Sequence, residues 1–265
     1  MTLARTRTFL RYFRRTVFFF LTLSILTLAE LALSPSIMAQ EDEKPKNLKV
    51  LDTAMTHEQV DQLMDKFTTA LGVHCDYCHV RNEGPNARGM NFAKDTLPAK
   101  ESARDMLRMV AAINGDFIGK MKRTDTHMVA VQCVTCHRGQ PKPEMLEDVL
   151  MRAKATGGLT AVDSTYRALR KQFYGSHTFD FSDHPLGNMA MEISEKSDQD
   201  ALVLLKLNKE FNPESVFNQW LLGQVYTSLG DTTTAIAEYE RALQISPESR
   251  RVKRDLDALR GVKKP

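Results

Sequence analysis

The chain has 265 residues, with 36 lysines and arginines against 33 acidic residues, a formal charge of +3 and only four cysteines. A 42% hydrophobic content is enough for a packed core and argues against a disordered or collagen-like chain. The small charge excess is concentrated at the extreme N-terminus, so composition excludes a strongly basic nucleic-acid binder.

Residues 1–16 carry Arg5, Arg7, Arg11, Arg14 and Arg15 without an acid, and Val17 to Leu33 is apolar apart from Glu30 and a few hydroxyl residues. Ser36-Ile37-Met38-Ala39 then offers small residues before Gln40. A basic start, an apolar run and a small-residue site describe a secretory signal peptide over residues 1–39. The alternative is an uncleaved anchor, but the run before Glu30 is short for a full span of roughly 20 residues. Removing five arginines and Glu30 takes the charge from +3 to −1. Residues 40–52, charged and without apolar periodicity, read as a solvated tether.

Thr56 with Gln59 forms the pattern of a capping box, and Val60, Leu63, Met64, Phe67 and Leu71 then share one helical face. Gly72 stands where a left-handed helix cap is wanted. The chain passes directly into Cys75-Asp76-Tyr77-Cys78-His79. Met64 reads either as an axial ligand reaching back over this motif or as a core methionine. Residues 82–89 are turn-rich, and Pro98 introduces a second helical stretch with Ala103, Met106, Met109 and Ile113 on one stripe. That stripe reads as core or as the face of a cofactor. A polar loop leads to Cys133-Val134-Thr135-Cys136-His137.

Two C-x-x-C-H motifs account for every cysteine, and each is the pattern for covalent attachment of a c-type haem. Two residues between the cysteines let one tight turn present both sulfurs to one edge of the macrocycle. The adjacent histidine then reaches the iron from below. A shared structural zinc fits less well: its cysteine pairs are usually about 15–20 residues apart, and zinc gives no reason for a histidine after each pair. The expectation is two haem c groups, held by Cys75, Cys78, Cys133 and Cys136 and ligated by His79 and His137.

Three stretches together resemble the cytochrome c subunit of photosynthetic reaction centres: Gln62 to His79, Ala103 to Asn114, and Gln132 to Pro143. The resemblance covers roughly residues 53–145. It implies a helical electron-transfer module in which a helix supplies an axial methionine, a turn follows, and the C-x-x-C-H segment lies beyond. Residue by residue it assigns Met64 to the first haem iron and Met106 to the second. The family pattern has four haems, against two attachment motifs here, and Lys120 stands at the family's cross-reaching histidine. The interval from Met106 to Cys133 is also longer, which leaves Met109, Met121, Met128 and His127 as alternatives. His74, Met90 and Arg138 read as packing or surface residues.

Beyond Pro143 the composition changes. Val162, Tyr166, Leu169 and Phe173 take helical spacing in a connector over residues 146–182, and His177 and His184 fall in polar turns. Leu222-Gly223, Tyr226, Gly230, Ala235, Tyr239, Ala242 and Pro247 fit a tetratricopeptide repeat. Ala201 and Pro213 echo Ala235 and Pro247 thirty-four residues earlier, and Val252, Leu256 and Leu259 outline a capping helix. The fold class expected is all-α: a dihaem cytochrome domain over 53–145, then a TPR-like hairpin stack over 183–265. Trp220 reads as part of its packing, and the stack as a protein-docking surface.

These features lead to a periplasmic carrier of single electrons between redox proteins, with a membrane-bound electron-transfer complex among the candidate partners and no nucleic-acid role. No catalytic residues are expected. The rivals are a dihaem peroxidase with one open iron site and a haem-based redox sensor.

Overall fold

A computed structural model describes residues 44–122 and 129–261. The expected signal peptide, the first residues of the tether, and the alternatives His127 and Met128 lie outside the described residues. The described chain is mainly helical, as expected, and falls into a haem-motif region followed by a stack of helical hairpins.

Helix α1 (His57–Leu71) starts and stops where its sequence says it should. Thr56 caps it through a reciprocal pair with Gln59, and Gly72 closes it at φ +64°. The first motif follows as a short 3₁₀ turn, Cys75–Tyr77. A two-stranded ladder that alternation alone did not reveal comes next: β1 (Val80–Arg81) pairs antiparallel with β2 (Met90–Asn91) and clasps the turn-rich loop. At two residues each, these strands are too short to carry a period-2 signal.

Helix α2 (Pro98–Ala112) opens with proline at its first turn and runs on through a π-helical turn, Ile113–Phe117, into a 3₁₀ turn, Ile118–Lys120. The second motif is helix α3 (Cys133–His137). It is capped by mutual bonds between Gln132 and Thr135 and ends at Arg138 in a left-handed conformation.

The connector is more helical than its periodicity suggests. Helix α4 (Leu146–Phe173) begins straight after the second motif and is broken by Gly157 and Gly158, the latter at φ +64°. Its first half buries Leu146 and Leu150, its second Val162 and Tyr166. The adjacent glycines hid the first half by interrupting the pattern.

Helices α5 (Asp183–Ser194) and α6 (Asp198–Phe211) form one antiparallel hairpin. Helices α7 (Val216–Ser228) and α8 (Thr232–Ile245) form the next, and α9 (Arg250–Leu259) packs on α8. Close crossings explain the small residues. A Cβ on Gly223 would collide with the Tyr239 ring, and one on Gly187 with the Phe217 ring. Ala235 and Ala242 are fully buried. Trp220 is packed inside, its indole N–H donating to Asp255 at 2.8 Å and the Arg251 guanidinium lying over its ring. His184 opens α5 and stacks on Phe217. Among the described residues, the core cluster is built from α4 onward, and the haem-motif region contributes none of it.

Candidate haem sites

The first motif opens onto a cavity of about 820 Å³. Its walls bring together Cys75, Cys78, His79 and Met64, as the spacing of α1 and the motif predicts. Val60, Phe67 and Leu71 of α1 supply an apolar wall, with Leu107 of α2 opposite. The volume lies within the usual range for cofactor and ligand pockets, about 300–1,000 Å³. Burial pushes the Cys78 thiol pKa up. Burial first, and then the Lys100 charge, pulls the His79 imidazole down, which favours the neutral form that an iron ligand needs. His79 Nδ1 is buried without a hydrogen-bond partner, and the ring meets Phe92 edge-on at 5.1 Å.

Two features of this site were not legible in the sequence. The segment from Lys44 to Leu51, expected to be a free tether, instead lines the cavity. Asn47 and Lys49 donate to Asp95 at 2.9 and 2.7 Å, because a polar stretch with amide and ammonium ends finds a carboxylate to hold it. The same carboxylate accepts from Arg104 and pairs with Lys100, both at 2.8 Å. Arg104 is buried, on the face of α2 turned to the cavity with Ala103 and Leu107. Of the stripe read from the sequence, Ala103 is on this face, whereas Met106 and Met109 are on the opposite face, outside the cavity lining.

That opposite face is exposed. Met106 is 40% and Met109 45% accessible, so neither belongs to a protein core. Phe117, Met121, Val129 and Val134 are also exposed apolar residues. Of the two readings of the stripe, a protein core does not fit its methionines. Asn114, at the end of α2, clamps the approach to this motif by bonding both ways with Val131, at 2.7 and 2.9 Å. In α3, His137 Nδ1 sits 2.8 Å from the Gln140 carbonyl. As donor to that carbonyl, Nδ1 carries the ring proton and leaves Nε2 with a free lone pair, the usual arrangement of a metal-bound imidazole. Burial also raises the Cys133 thiol pKa. The residues present at both motifs therefore fit haem c.

The two motifs touch through backbone. Gly139 donates to the Ala70 carbonyl at 2.8 Å, packing the exit of α3 on the end of α1. Thr178, near the end of the connector, donates to the Arg138 carbonyl at 2.7 Å and so ties the second motif to the segment that leads into the hairpin stack. His74 and Arg138 are exposed, Met90 lines the first cavity, and Lys120 makes a surface pair with Asp116 at 2.9 Å. Among the described residues, no helix is long and apolar enough to cross a membrane.

Several known proteins are similar to part of this chain. Cytochrome c-554 of Chloroflexus aurantiacus is 38% identical over 96 residues, 36% of this chain and 20% of that protein. The photosynthetic reaction center cytochrome c subunit of Rubrivivax gelatinosus is 31% identical over 121 residues, 40% of this chain and 31% of that one. Its counterpart in Thermochromatium tepidum is 31% identical over 106 residues, 40% and 23% respectively. The chain thus spans less than a third of the length of these relatives. Among solved structures, the first TPR of Spaghetti bound to an HSP90 peptide overlays with a TM-score of 0.31 at 16% identity, over 44% of this chain and 88% of that one, too slight a likeness to describe the fold. The family profile described as photosynthetic reaction centre cytochrome C subunit matches residues 30–195, both motifs and the helices that follow them included. The chain belongs to that family of c-type electron-transfer cytochromes.

Proposed function

We propose that this protein is an extracytoplasmic dihaem cytochrome that passes single electrons between redox proteins. The observation that carries this reading is the convergence of Cys75, Cys78, His79 and Met64 on one cavity of about 820 Å³. It is joined by a second, complete motif whose His137 Nδ1 lies 2.8 Å from the Gln140 carbonyl.

Haem c, when bound, supplies the redox couple; the protein supplies ligands, orientation and dielectric. Cys75 and Cys78 would hold one haem through thioethers, and Cys133 and Cys136 a second. His79 and His137 would each ligate an iron. Met64 would be the further ligand at the first site and Met106 at the second, where Met109 is exposed on the same helix. Methionine opposite histidine raises the potential above that of paired histidines. Val60, Phe67, Leu71 and Leu107 keep water from the first ring and so limit the rearrangement that accompanies a change of charge. The TPR-like hairpins α5 to α8 serve as the docking surface for a redox partner, which presents the carrier to a membrane-bound complex at the extracytoplasmic face.

The test is the optical and magnetic spectrum of the mature protein in both oxidation states. Two low-spin sites, with the weak red band of thioether-bound ferric iron lost in Met64→Ala and Met106→Ala, support the carrier. A high-spin ferric signal at one site, with rapid oxidation by peroxide, would move the protein to the peroxidase class.

A further inference from the structure

The two proximal histidines do not have the same surroundings. His137 Nδ1 has the Gln140 carbonyl at 2.8 Å. His79 Nδ1 is buried without a hydrogen bond of ordinary geometry, while the Phe92 carbonyl still acts on the ring as an acceptor and raises its pKa against the effect of burial. That carbonyl is engaged by Lys100, whose ammonium donates to Phe92 O at 2.8 Å and Lys94 O at 3.0 Å and pairs with Asp95 at 2.8 Å. All three ammonium donors are therefore in use, and the side chain is only 12% exposed. A carbonyl keeps a second lone pair, but one whose density is drawn to a charged donor is a poorer acceptor for a neutral imidazole N–H.

An acceptor on the ring N–H makes a ligating histidine a stronger electron donor, which favours ferric over ferrous iron and lowers the potential. A nearby fixed cation acts in the opposite direction. Both effects point the same way here. We propose that Lys100 is a positioning residue for His79: by engaging the Phe92 carbonyl it keeps His79 a weak donor, so that the His79 site holds its electron more tightly than the His137 site. With haem c bound, one electron passing from the His137 site to the His79 site would run downhill, oxidising the iron at the His137 site and reducing the iron at the His79 site, with no proton moved. The gradient gives the carrier an internal direction, from α3 toward the cavity beneath α1.

This inference rests on the dihaem reading, and one experiment separates the two. The holoprotein is titrated optically against potential, and its haem content is measured on the same sample. Two haems with two resolved midpoints are expected. Lys100→Met should lower the upper midpoint alone, by about 59 mV for a tenfold change in the one-electron equilibrium, and Lys100→Arg should retain most of the wild-type value. A chain without covalent haem would overturn the dihaem reading itself. Two haems whose midpoints do not respond to Lys100→Met, or respond equally to Arg and Met, would overturn the role of Lys100 alone. Ring N–H exchange in the reduced wild-type protein gives a readout free of any folding defect. The His137 proton should exchange more slowly than the His79 proton, and the reverse order would overturn the proposal.

Discussion

Gly72 and Gly139 meet backbone to backbone: the carbonyl of Gly139 occupies the space that a Cβ on Gly72 would need. Gly72 also stands at φ +64°, which a side chain resists. One position thus ends α1, turns the chain into the first motif and admits the segment leaving the second. Gly72→Ala should cost about 3 kcal/mol, roughly 1–2 of it from the left-handed conformation and the rest from displaced backbone. Gly115→Ala, with open space around it, is the control. Denaturant unfolding of both holoproteins checks the contrast, and equal costs would show that the contact is unimportant.

Thr178 links the second motif, through the Arg138 carbonyl, to the segment that leads into the hairpin stack. Thr178→Val removes the donor and keeps the shape, so stability should fall by about 1 kcal/mol. Proteolysis at the junction near residue 140 should quicken, while the hairpins keep their protection. Cleavage rates unchanged at the junction would mean that the tie adds nothing to the attachment of the two regions.

Asp95 collects Arg104, Lys100, Lys49 and Asn47, and the hydrogen bonds from these groups, Arg104 foremost, hold its carboxyl well below the usual carboxylate range. A depressed folded value stabilises the protein above the unfolded pKa of about 3.9 and loses that contribution as pH falls toward the folded value. Asp95→Asn should therefore be less stable than wild type at pH 7, with the difference shrinking below about pH 4. Urea midpoints across that range provide the check. A constant difference would mean the carboxylate charge is not what ties Lys49 to α2.

The sequence was most legible where one residue type answers one geometric need. Thr56, Gln59 and Gly72 bound α1 as expected, and Gly223, Ala235, Tyr239 and Ala242 mark the crossing of α7 and α8. It was least legible where distant polar groups meet. Nothing local in Asn47, Lys49 or Asp95 says that they join, and a charged run looks the same whether solvated or bound. Helix α2 shows a third case: its stripe of Ala103 and the methionines was visible, but Arg104 and Leu107, which line the first cavity with Ala103, form no conspicuous pattern.

The central claim is that one chain holds two haems at two separately built sites. Its most direct measurement is the covalent haem content of the mature holoprotein, beside a Cys133→Ala/Cys136→Ala variant. The account predicts two haems per chain in the wild type and one in the variant, with the Met64 spectral signature kept. One haem in the wild type, or both lost together in the variant, would contradict it.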